Sequence, residues 1–334
     1  TSILHSIKNR GAVVVEFYST HAPLLTEYIE FKRSLGYKYQ LEYAFKKFDA
    51  FLVENKFTQM GLTRGICELW SIRQANESFA NRYKRVNNIR NYSIYLNGLG
   101  YPSYIPLDSR EFESTFTPYI FTKDEVGRFF LACDSIELTN RSQTAHLYPA
   151  LFRVIYGCGL RVSEAITLKC TNVNLDEKHI TIYGSKNGED RILPLSESLS
   201  EILCLYKNTY LSKRPDQEYF FSKLDGGKCS SDTVYRWFRT ILRKAGISHG
   251  GKGYGPRVHD FRHTFSVHSL AAMSDAGLDL YYSLPLLSKY LGHKSLEATD
   301  KYVRLTSDMY PGIMNEMNRI CAFVFPEVSE YETD

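Results

Sequence analysis

Strand-like patterning is confined to one short part of this 334-residue chain. Polar and apolar side chains alternate over 179–183 (HITIY) and return over 191–195 (RILPL), and the Asn187-Gly188 pair between them is a hairpin-turn signal. Residues 173–175 could add a third strand. Helical patterns occupy the sequence on both sides, so the chain is predicted to be mostly α, with a small antiparallel sheet embedded in a helical second domain.

The first hundred residues show apolar side chains at helical spacing. Residues 21–100 are therefore predicted to form a compact unit of four or five helices, with the clearest patterns at 20–36, 41–55, 63–73 and 78–96. Residues 1–20 are assigned to an N-terminal arm, in which 12–17 (AVVVEF) could be a short strand or extended chain. The stretch 101–118 holds three prolines and little periodicity, which is typical of an interdomain linker.

A second domain is predicted over 119–310. It begins with a capping-box pattern at Thr122–Glu125, which starts a helix running to Cys133. Further helices are expected at 144–157, 161–168, 196–211, 230–245, 260–274, 284–291 and 295–304. The tail, 311–334, carries an apolar stripe formed by Ile313, Met317, Ile320 and Val324.

Composition limits the class of protein. Hydrophobic residues make up 43% and charged residues 23%, as in ordinary soluble globular proteins, and the net charge of +4 is too small for a histone-like polycation. A nucleic-acid partner must therefore be argued from local clusters. The seven cysteines are scattered without a CxxC pair, which argues against a zinc site or disulfide framework and indicates a reducing cytosol. No apolar run reaches membrane-spanning length, and no secretory signal opens the chain.

The predicted helix 78–96 carries a cluster of basic and amide side chains, and no acidic residue occurs from Phe79 through Leu107. Lys and Arg neutralise backbone phosphates, and Asn can bind base edges. The alternative is an ordinary solvated helix face. The candidate DNA contacts in this helix are Arg82, Lys84, Arg85, Asn87 and Arg90.

The predicted helix 230–245 is a second DNA-contact candidate. Arg236, Arg239 and Arg243 follow one another at i, i+3 and i+7 on one face. The opposite, apolar face is formed by Val234, Trp237, Phe238 and Ile241. The alternative is a surface amphipathic helix without a nucleic-acid role.

The stretch 258–265 (VHDFRHTF) places His259 and Arg262 one helical turn apart. An Arg fork beside an imidazole is suited to binding a phosphodiester. Arg161 lies upstream, and His293 and Tyr302 follow downstream, so two arginines, two histidines and a tyrosine point to phosphate chemistry.

Taken singly, each of these residues has a structural explanation. Arg161 could form an ion pair with Glu164, His259 could be a core histidine, and Tyr302 is one of 25 tyrosines. His263 is assigned to structural packing rather than to chemistry.

Four segments carry a resemblance to a known family: GCGLRVSEAITL (157–168), IYGSKNGEDRILPL (182–195), VHDFRHTF (258–265) and LGHKSLEATDKYVRL (291–305). In this order they resemble the catalytic domain of the tyrosine recombinases, the phage-integrase family, as found in transposon or phage integrases. The helical N-terminal part is similar in length and placement to the family's core-binding DNA domain, but it carries no sharp motif.

The resemblance implies a role for each site residue. Tyr302 would attack a DNA phosphodiester, forming a 3′-phosphotyrosyl bond and a free 5′-hydroxyl. Arg161 and Arg262 would hold the non-bridging oxygens and stabilise the transition state. His293 would donate a further hydrogen bond to the phosphate, and His259 would accept the proton of Tyr302.

The remaining roles concern the leaving group and the support of the cations. Lys186, in the hairpin turn, would protonate the leaving 5′-oxygen, and Lys178 is the competing candidate. Lys186 could also be an ordinary solvated turn lysine. Glu164 would orient the arginine cluster. No metal or other cofactor is implied, because arginines supply the positive charge and the covalent bond stores the energy of the broken linkage.

The implied partners are double-stranded DNA recombination sites and further copies of the chain, in a tetramer on two DNA sites. Accessory proteins that bend DNA or set direction could take part, no membrane is involved, and the place of action would be the cytoplasm, at the nucleoid. The tail 311–334 would pack against a neighbouring copy, or else fold back onto its own domain. Two other functions share these motifs: a topoisomerase of type IB, which relaxes a single duplex, and a DNA-binding protein with a retired active site.

Overall fold

The computed structural model describes residues 16–36, 42–107, 117–137, 143–184, 190–214, 216–251 and 255–293, together with Thr299, Tyr302 and Leu305. The chain divides into two compact units, Thr1–Phe116 and Thr117–Asp334, and the division falls inside the stretch predicted as a linker. The predicted strand or arm at 12–17 lies outside the described residues except for its last two positions. Lys186, with the turn predicted around it, and the tail 311–334 lie outside them entirely.

The N-terminal unit is helical, at the positions that the apolar spacing predicted. Its described helices are α1 (Ala22–Ser34), α2 (Glu42–Glu54), α3 (Arg64–Ser71) and α4 (Phe79–Gly98). Ser78 begins α4 as its N-cap, accepting a 3.2 Å hydrogen bond from the backbone of Asn81. An aromatic core joins the helices, and its fully buried members include Tyr28, Phe45, Phe48 and Tyr92.

The second unit is also mainly helical. Its described elements are α5 (Lys123–Asp134), α6 (Thr144–Gly157), α7 (Val162–Ile166), β1 (Val173–Asn174), β2 (His179–Ile182), β3 (Arg191–Pro194), α8 (Glu197–Thr209), α9 (Ser231–Lys244), α10 (Asp260–Asp275) and α11 (Leu280–Leu291), with short 3-10 turns at Cys170–Asn172 and Leu211–Lys213. The predicted capping box at Thr122 and Glu125 is present at the start of α5. The predicted fold class, mostly α with a small antiparallel sheet, is confirmed.

The three strands form one antiparallel sheet in the order β1-β2-β3. Ile180 pairs with Val173 on one side and with Leu193 on the other, and Ile182 pairs with Arg191 at the end next to the hairpin turn. Ile180 and Leu193 are fully buried. The sheet therefore presents its apolar face to the helical core and brings Arg191 to the hairpin end.

Helix α11 begins earlier than expected. Its start was predicted at 284. The helix instead begins at Leu280 and continues through Pro285. The burial of Leu287 and Leu291 against α10 outweighs the backbone hydrogen bond that the proline removes.

Helix α10 lies where two apolar clusters meet. Phe261, in its first turn, belongs to the main core with Phe129 and Phe238. Val267 and Leu270 belong to a smaller cluster that also contains Tyr302. The intervening residues of α10, including Arg262 and His263, are consequently held inside the protein between these clusters.

Candidate active site

Arg262 is the centre of the polar cluster. It lies in the first turn of α10, and only 1% of its surface is exposed. Its Nη1 donates to the carbonyl of Gly159 and its Nη2 to the carbonyl of Leu291, both at 2.7 Å. One guanidinium thus joins the turn after α6, α10 itself and the end of α11. Burial, with a contribution from the nearby charge of Arg161, lowers the pKa of Arg262 to about 10.

The turn that receives Arg262 depends on a glycine. Gly159 has a φ of +57°, and a Cβ added there would lie 2.5 Å from the ring of Phe265. A side chain at this position would therefore be strained by the backbone conformation and would also collide with α10. Because Gly159 has no Cβ, Phe265 can pack directly against this turn while the Gly159 carbonyl accepts from Arg262.

Glu164 is shared by two arginines. Its Oε1 accepts a 2.8 Å hydrogen bond from Arg161, and its Oε2 accepts one of 2.8 Å from Arg191. Its side chain is 6% exposed. Burial alone would raise the pKa of Glu164, but the hydrogen bond and charge of Arg191, with the backbone N–H and charge of Arg161, hold that pKa below its usual value. These contacts are those expected of a carboxylate that orients the cluster.

Arg191 was not singled out from the sequence. Its side chain is 8% exposed, and a Cβ added at Gly292, next to His293, would lie 3.4 Å from its Nη1. The alternation of β3 contained a usable signal: Arg191 stands two residues before the buried Leu193, on the same face of the strand. An arginine on the buried face of a strand requires an acidic partner.

Tyr302 lies between two histidine rings. Its hydroxyl is 2.9 Å from Nδ1 of His263, and its ring lies 6.3 Å from that of His293 at an interplanar angle of 20°. Only 1% of the residue is exposed. Burial raises the pKa of the Tyr302 phenol, against opposing effects of Arg262, a hydrogen bond with Ser266 and the charge of Arg161. The phenol is therefore protonated at neutral pH.

His293 is tied to Arg262. The guanidinium Nη2 of Arg262 donates to Nε2 of His293 at 3.1 Å, and Nδ1 of His293 is 2.8 Å from the hydroxyl of Thr299. A guanidinium can only donate, so Nε2 is the acceptor and Nδ1 carries the proton of the neutral ring. Arg161, Arg262, His293 and Tyr302 thus occupy one neighbourhood.

His259 and His263 differ in their surroundings. His259 is exposed at the start of α10, and its ring lies 4.9 Å from the ring of His263 at an angle of 88°. His263, which the sequence assigned to packing, makes the recorded contact with the Tyr302 hydroxyl. Sequence spacing gave no signal for this contact, because the two residues are 39 positions apart.

Of the two lysines considered as the proton donor to the leaving oxygen, the structure describes only Lys178. Lys186 lies outside the described residues. Lys178 forms an ion pair with Glu197, with 2.5 Å between Nζ and Oε2. This pair favours a structural role for Lys178.

The basic residues of α4 are not equivalent. Arg85 donates to both carboxylate oxygens of Glu77, at 2.7 and 2.8 Å, and to the carbonyls of Trp70 and Ile72. Its side chain is only 13% exposed. These contacts favour a structural role for Arg85 over the predicted DNA contact.

The other two arginine candidates of α4 make fewer hydrogen bonds than Arg85 within the described ranges. Arg82 donates to the carbonyl of Ser71 and Arg90 to that of Pro106, each through one nitrogen. Asn87 is half-buried, and Lys84 is exposed.

Helix α9 has the two faces that its sequence predicted. Val234, Phe238 and Ile241 are fully buried. The opposite face exposes Arg236, Arg239 and Arg243. Arg236 contacts Thr233 at 3.2 Å, and Arg239 lies over the ring of Tyr235. The guanidiniums of this face have no ion pair recorded in the described part of the chain.

Two general properties bear on the site. Within the described ranges, no three His, Cys, Asp or Glu side chains come together in an arrangement that could hold a metal ion. Over the same ranges, no helix is both long enough and apolar enough to cross a membrane.

Comparisons with known proteins identify relatives of this chain. The sequence pattern of the phage integrase family matches residues 120–309. A putative integrase/recombinase, y4rB, from Sinorhizobium fredii is 27% identical over 313 residues, which cover 90% of this chain and 98% of the relative. The tyrosine recombinase XerA of Pyrococcus furiosus is 33% identical over 157 residues, covering 46% of this chain and 49% of the relative.

Solved structures have a similar fold. A lambda integrase tetramer bound to a Holliday junction has a TM-score of 0.60 at 17% identity, covering 84% of this chain and 76% of the other. XerH bound to a palindromic difH substrate has a TM-score of 0.59 at 18% identity, with coverages of 84% and 77%. Since the family pattern takes up more than half of the sequence, the chain belongs to the phage integrase family, that of the tyrosine recombinases.

Proposed function

We propose that this protein is a site-specific DNA recombinase of a mobile element, which cuts and rejoins DNA through a 3′-phosphotyrosyl intermediate. The observation that carries the proposal is the meeting of Tyr302 with Arg262, Arg161 and His293, which come from separate segments of the chain. A phenolic nucleophile beside fixed guanidiniums is an arrangement suited to attack on a phosphodiester.

The charge of the cluster suits an anionic substrate. Arg161, Arg191 and Arg262 surround a single described carboxylate, that of Glu164. Arg262 is buried against neutral carbonyls, so a phosphate oxygen would offer it a stronger acceptor than any of its present partners. Arg161 and Arg262 would hold the non-bridging oxygens and stabilise the five-coordinate transition state.

His293 would change partner when DNA binds. Its Nε2 now accepts from Arg262. If phosphate takes the place of Nε2 at Arg262, the ring can be protonated and donate to the same phosphate. The hydrogen bond with Thr299 would keep the ring oriented during this exchange.

The chemical step exchanges one phosphorus–oxygen bond for another. The phenol of Tyr302 gives its proton to a neighbouring imidazole, its oxygen bonds to phosphorus, and the bond to the 5′-oxygen breaks, with Lys186 supplying the proton of the leaving hydroxyl. Rejoining reverses this step when a 5′-hydroxyl from a different strand attacks the phosphotyrosyl bond. The linkage energy is kept in the covalent intermediate, so ATP is not required.

The proposed partners are two duplex DNA sites and four copies of the chain. The N-terminal unit 21–100 and the exposed arginines of α9 would contact DNA backbones, while the tail 311–334 would pack against a neighbouring copy. Support for this assembly comes from the similar fold of lambda integrase, whose structure is a tetramer on a Holliday junction. Accessory DNA-bending or directionality proteins, and action at the nucleoid in the cytoplasm, complete the proposal.

The test is covalent capture. Duplexes that carry the joined ends of the native element, nicked beside the scissile phosphate, are incubated with protein, and adducts that survive detergent are counted. Tyr302→Phe should form no adduct and should bind DNA almost as before, whereas Tyr282→Phe, at a 74% exposed position on α11, should behave as the unaltered protein. Undiminished adducts with Tyr302→Phe would mean that another residue attacks.

A further inference from the structure

The buried phenol of Tyr302 meets a nitrogen base inside the protein. Nδ1 of His263 lies 2.9 Å from the hydroxyl, and His263 is 5% exposed. This distance is that of a hydrogen bond between a phenol and an imidazole. It is also the reach required of a general base for the proton that it removes.

The other polar groups near the phenol are poorer proton acceptors. Arg262 and Arg161 are cations, and Ser266 contributes a neutral hydroxyl that already donates to the carbonyl of Arg262. His293 uses Nε2 as the acceptor for Arg262. His259 is exposed to solvent, and its ring lies 4.9 Å from that of His263.

We propose that His263 is a catalytic residue that accepts the proton of Tyr302 as the phenol attacks DNA, a role resting on the proposed recombinase function. The O–H bond of Tyr302 breaks and an N–H bond forms at Nδ1 of His263. The electron pair left on the phenolic oxygen forms the bond to phosphorus, and the 5′-oxygen leaves with a proton from Lys186.

Two structural features assist this transfer. Arg262 and Arg161 stabilise the phenolate as it forms, and the bound phosphodiester offsets their repulsion of a protonated His263. The proposal requires one tautomer: for Tyr302 to donate to Nδ1, Nε2 of His263 must carry the ring proton in the resting protein.

The test combines a conservative substitution with a change in phenol acidity. His263→Asn keeps a hydrogen-bond acceptor near the phenol but removes the base. It should slow adduct formation on the nicked duplex by about 10²- to 10⁴-fold. Replacing Tyr302 by 3,5-difluorotyrosine, whose phenol loses its proton more easily, should then restore the rate of the His263→Asn protein by about tenfold or more.

Three controls separate proton transfer from simple support of the site. Arg161→Lys should not be rescued by difluorotyrosine, because its defect is in phosphate binding. Ser266→Ala removes a neighbouring hydrogen bond but no base, and it should slow the reaction far less than His263→Asn. His259→Asn is compared in the same way; rescue of His259→Asn but not of His263→Asn would overturn the proposal.

A second measurement uses the unaltered protein and so does not depend on whether a variant folds. In ¹⁵N-histidine NMR spectra, Nδ1 of His263 should be unprotonated and Nε2 protonated. A protonated Nδ1 would donate to Tyr302 and could not accept its proton, and this result would contradict the proposal. Normal adduct formation by His263→Asn would reject only this role, whereas absence of any Tyr302-dependent adduct with the unaltered protein would reject the recombinase function itself.

Discussion

The arginine cluster illustrates how a few side chains support the site. Glu164 neutralises part of the charge of Arg161 and Arg191, and each of these three side chains is mostly buried. Removing one partner from a buried ion pair leaves a charge without compensation, which costs far more than the loss of an exposed pair. The stability of the catalytic unit is therefore expected to depend strongly on Arg191, although this residue is not assigned to the chemistry.

Arg191→Met tests that dependence. It is expected to lower the free energy of unfolding by up to about 3–5 kcal/mol, the usual cost of breaking a buried pair, with the retained Arg161–Glu164 pair limiting the loss. Arg64→Met is the control, because Arg64 pairs with Glu68 at a surface where the side chains are 74% and 56% exposed. That change should cost less than about 1 kcal/mol. Urea unfolding followed by circular dichroism measures both, and equal losses would contradict the buried-pair argument.

The depressed pKa of Glu164 makes a separate prediction about acid. A carboxyl whose pKa is lower in the folded state stabilises the protein fully above its unfolded pKa, and this contribution is lost as pH falls through the folded pKa. The free energy of unfolding should therefore decline as pH drops below about 4.3, the ordinary pKa of glutamate. In Glu164→Gln the decline should be shallower, because that group no longer titrates. Urea unfolding at several acid pH values measures the free energy of unfolding of both proteins. Equal slopes of that free energy against pH in the unaltered protein and in Glu164→Gln would contradict the prediction.

At the level of elements, the sequence was informative wherever the signal was local. The alternation of 179–183 and 191–195 predicted the hairpin, and the Thr122–Glu125 pattern predicted the capping box of α5. The start of α11 was predicted wrongly: the helix begins at Leu280 and continues through Pro285. Burial of Leu287 and Leu291 against α10 outweighs the backbone hydrogen bond that the proline removes. The contacts of His263 with Tyr302 and of Arg191 with Glu164 connect distant segments, and helical or strand periodicity carries no information about such pairs.

The turn between α6 and α7 can be tested by replacing Gly159 with alanine. A second glycine substitution, in α5, serves as a control that should change stability in the opposite direction. Gly159→Ala should destabilise the protein by more than about 1 kcal/mol, because its left-handed backbone disfavours a Cβ and Phe265 occupies the space. Gly127→Ala, on the exposed side of α5 with no atom within 4 Å of the added Cβ, should stabilise it by about 0.5–1 kcal/mol. Thermal unfolding measures both the expected loss of stability and the expected gain. A neutral Gly159→Ala would show that the turn adapts.

For the whole molecule, the distribution of charge matters more than its total. The net charge is only +4, so attraction to DNA must come from exposed groups rather than from the average. Arg85 is an example of a mostly buried, ion-paired cation, and Arg239 is an example of an exposed one. Arg85 is 13% exposed and bonded to Glu77, whereas Arg239 is exposed on α9 beside Arg236 and Arg243. Only the second kind can release counterions from a DNA backbone.

This difference predicts how DNA affinity responds to salt. Arg239→Gln should weaken binding to a short duplex of any sequence and should reduce the slope of log affinity against log salt by about one. Arg85→Gln removes the same formal charge, so it controls for long-range electrostatics. It should leave the slope unchanged and instead lower the stability of the N-terminal unit, because Glu77 loses its partner. Fluorescence anisotropy over a salt series measures the slopes. If Arg239→Gln kept the full slope while Arg85→Gln reduced it, DNA would contact α4 through Arg85 and not α9 through Arg239.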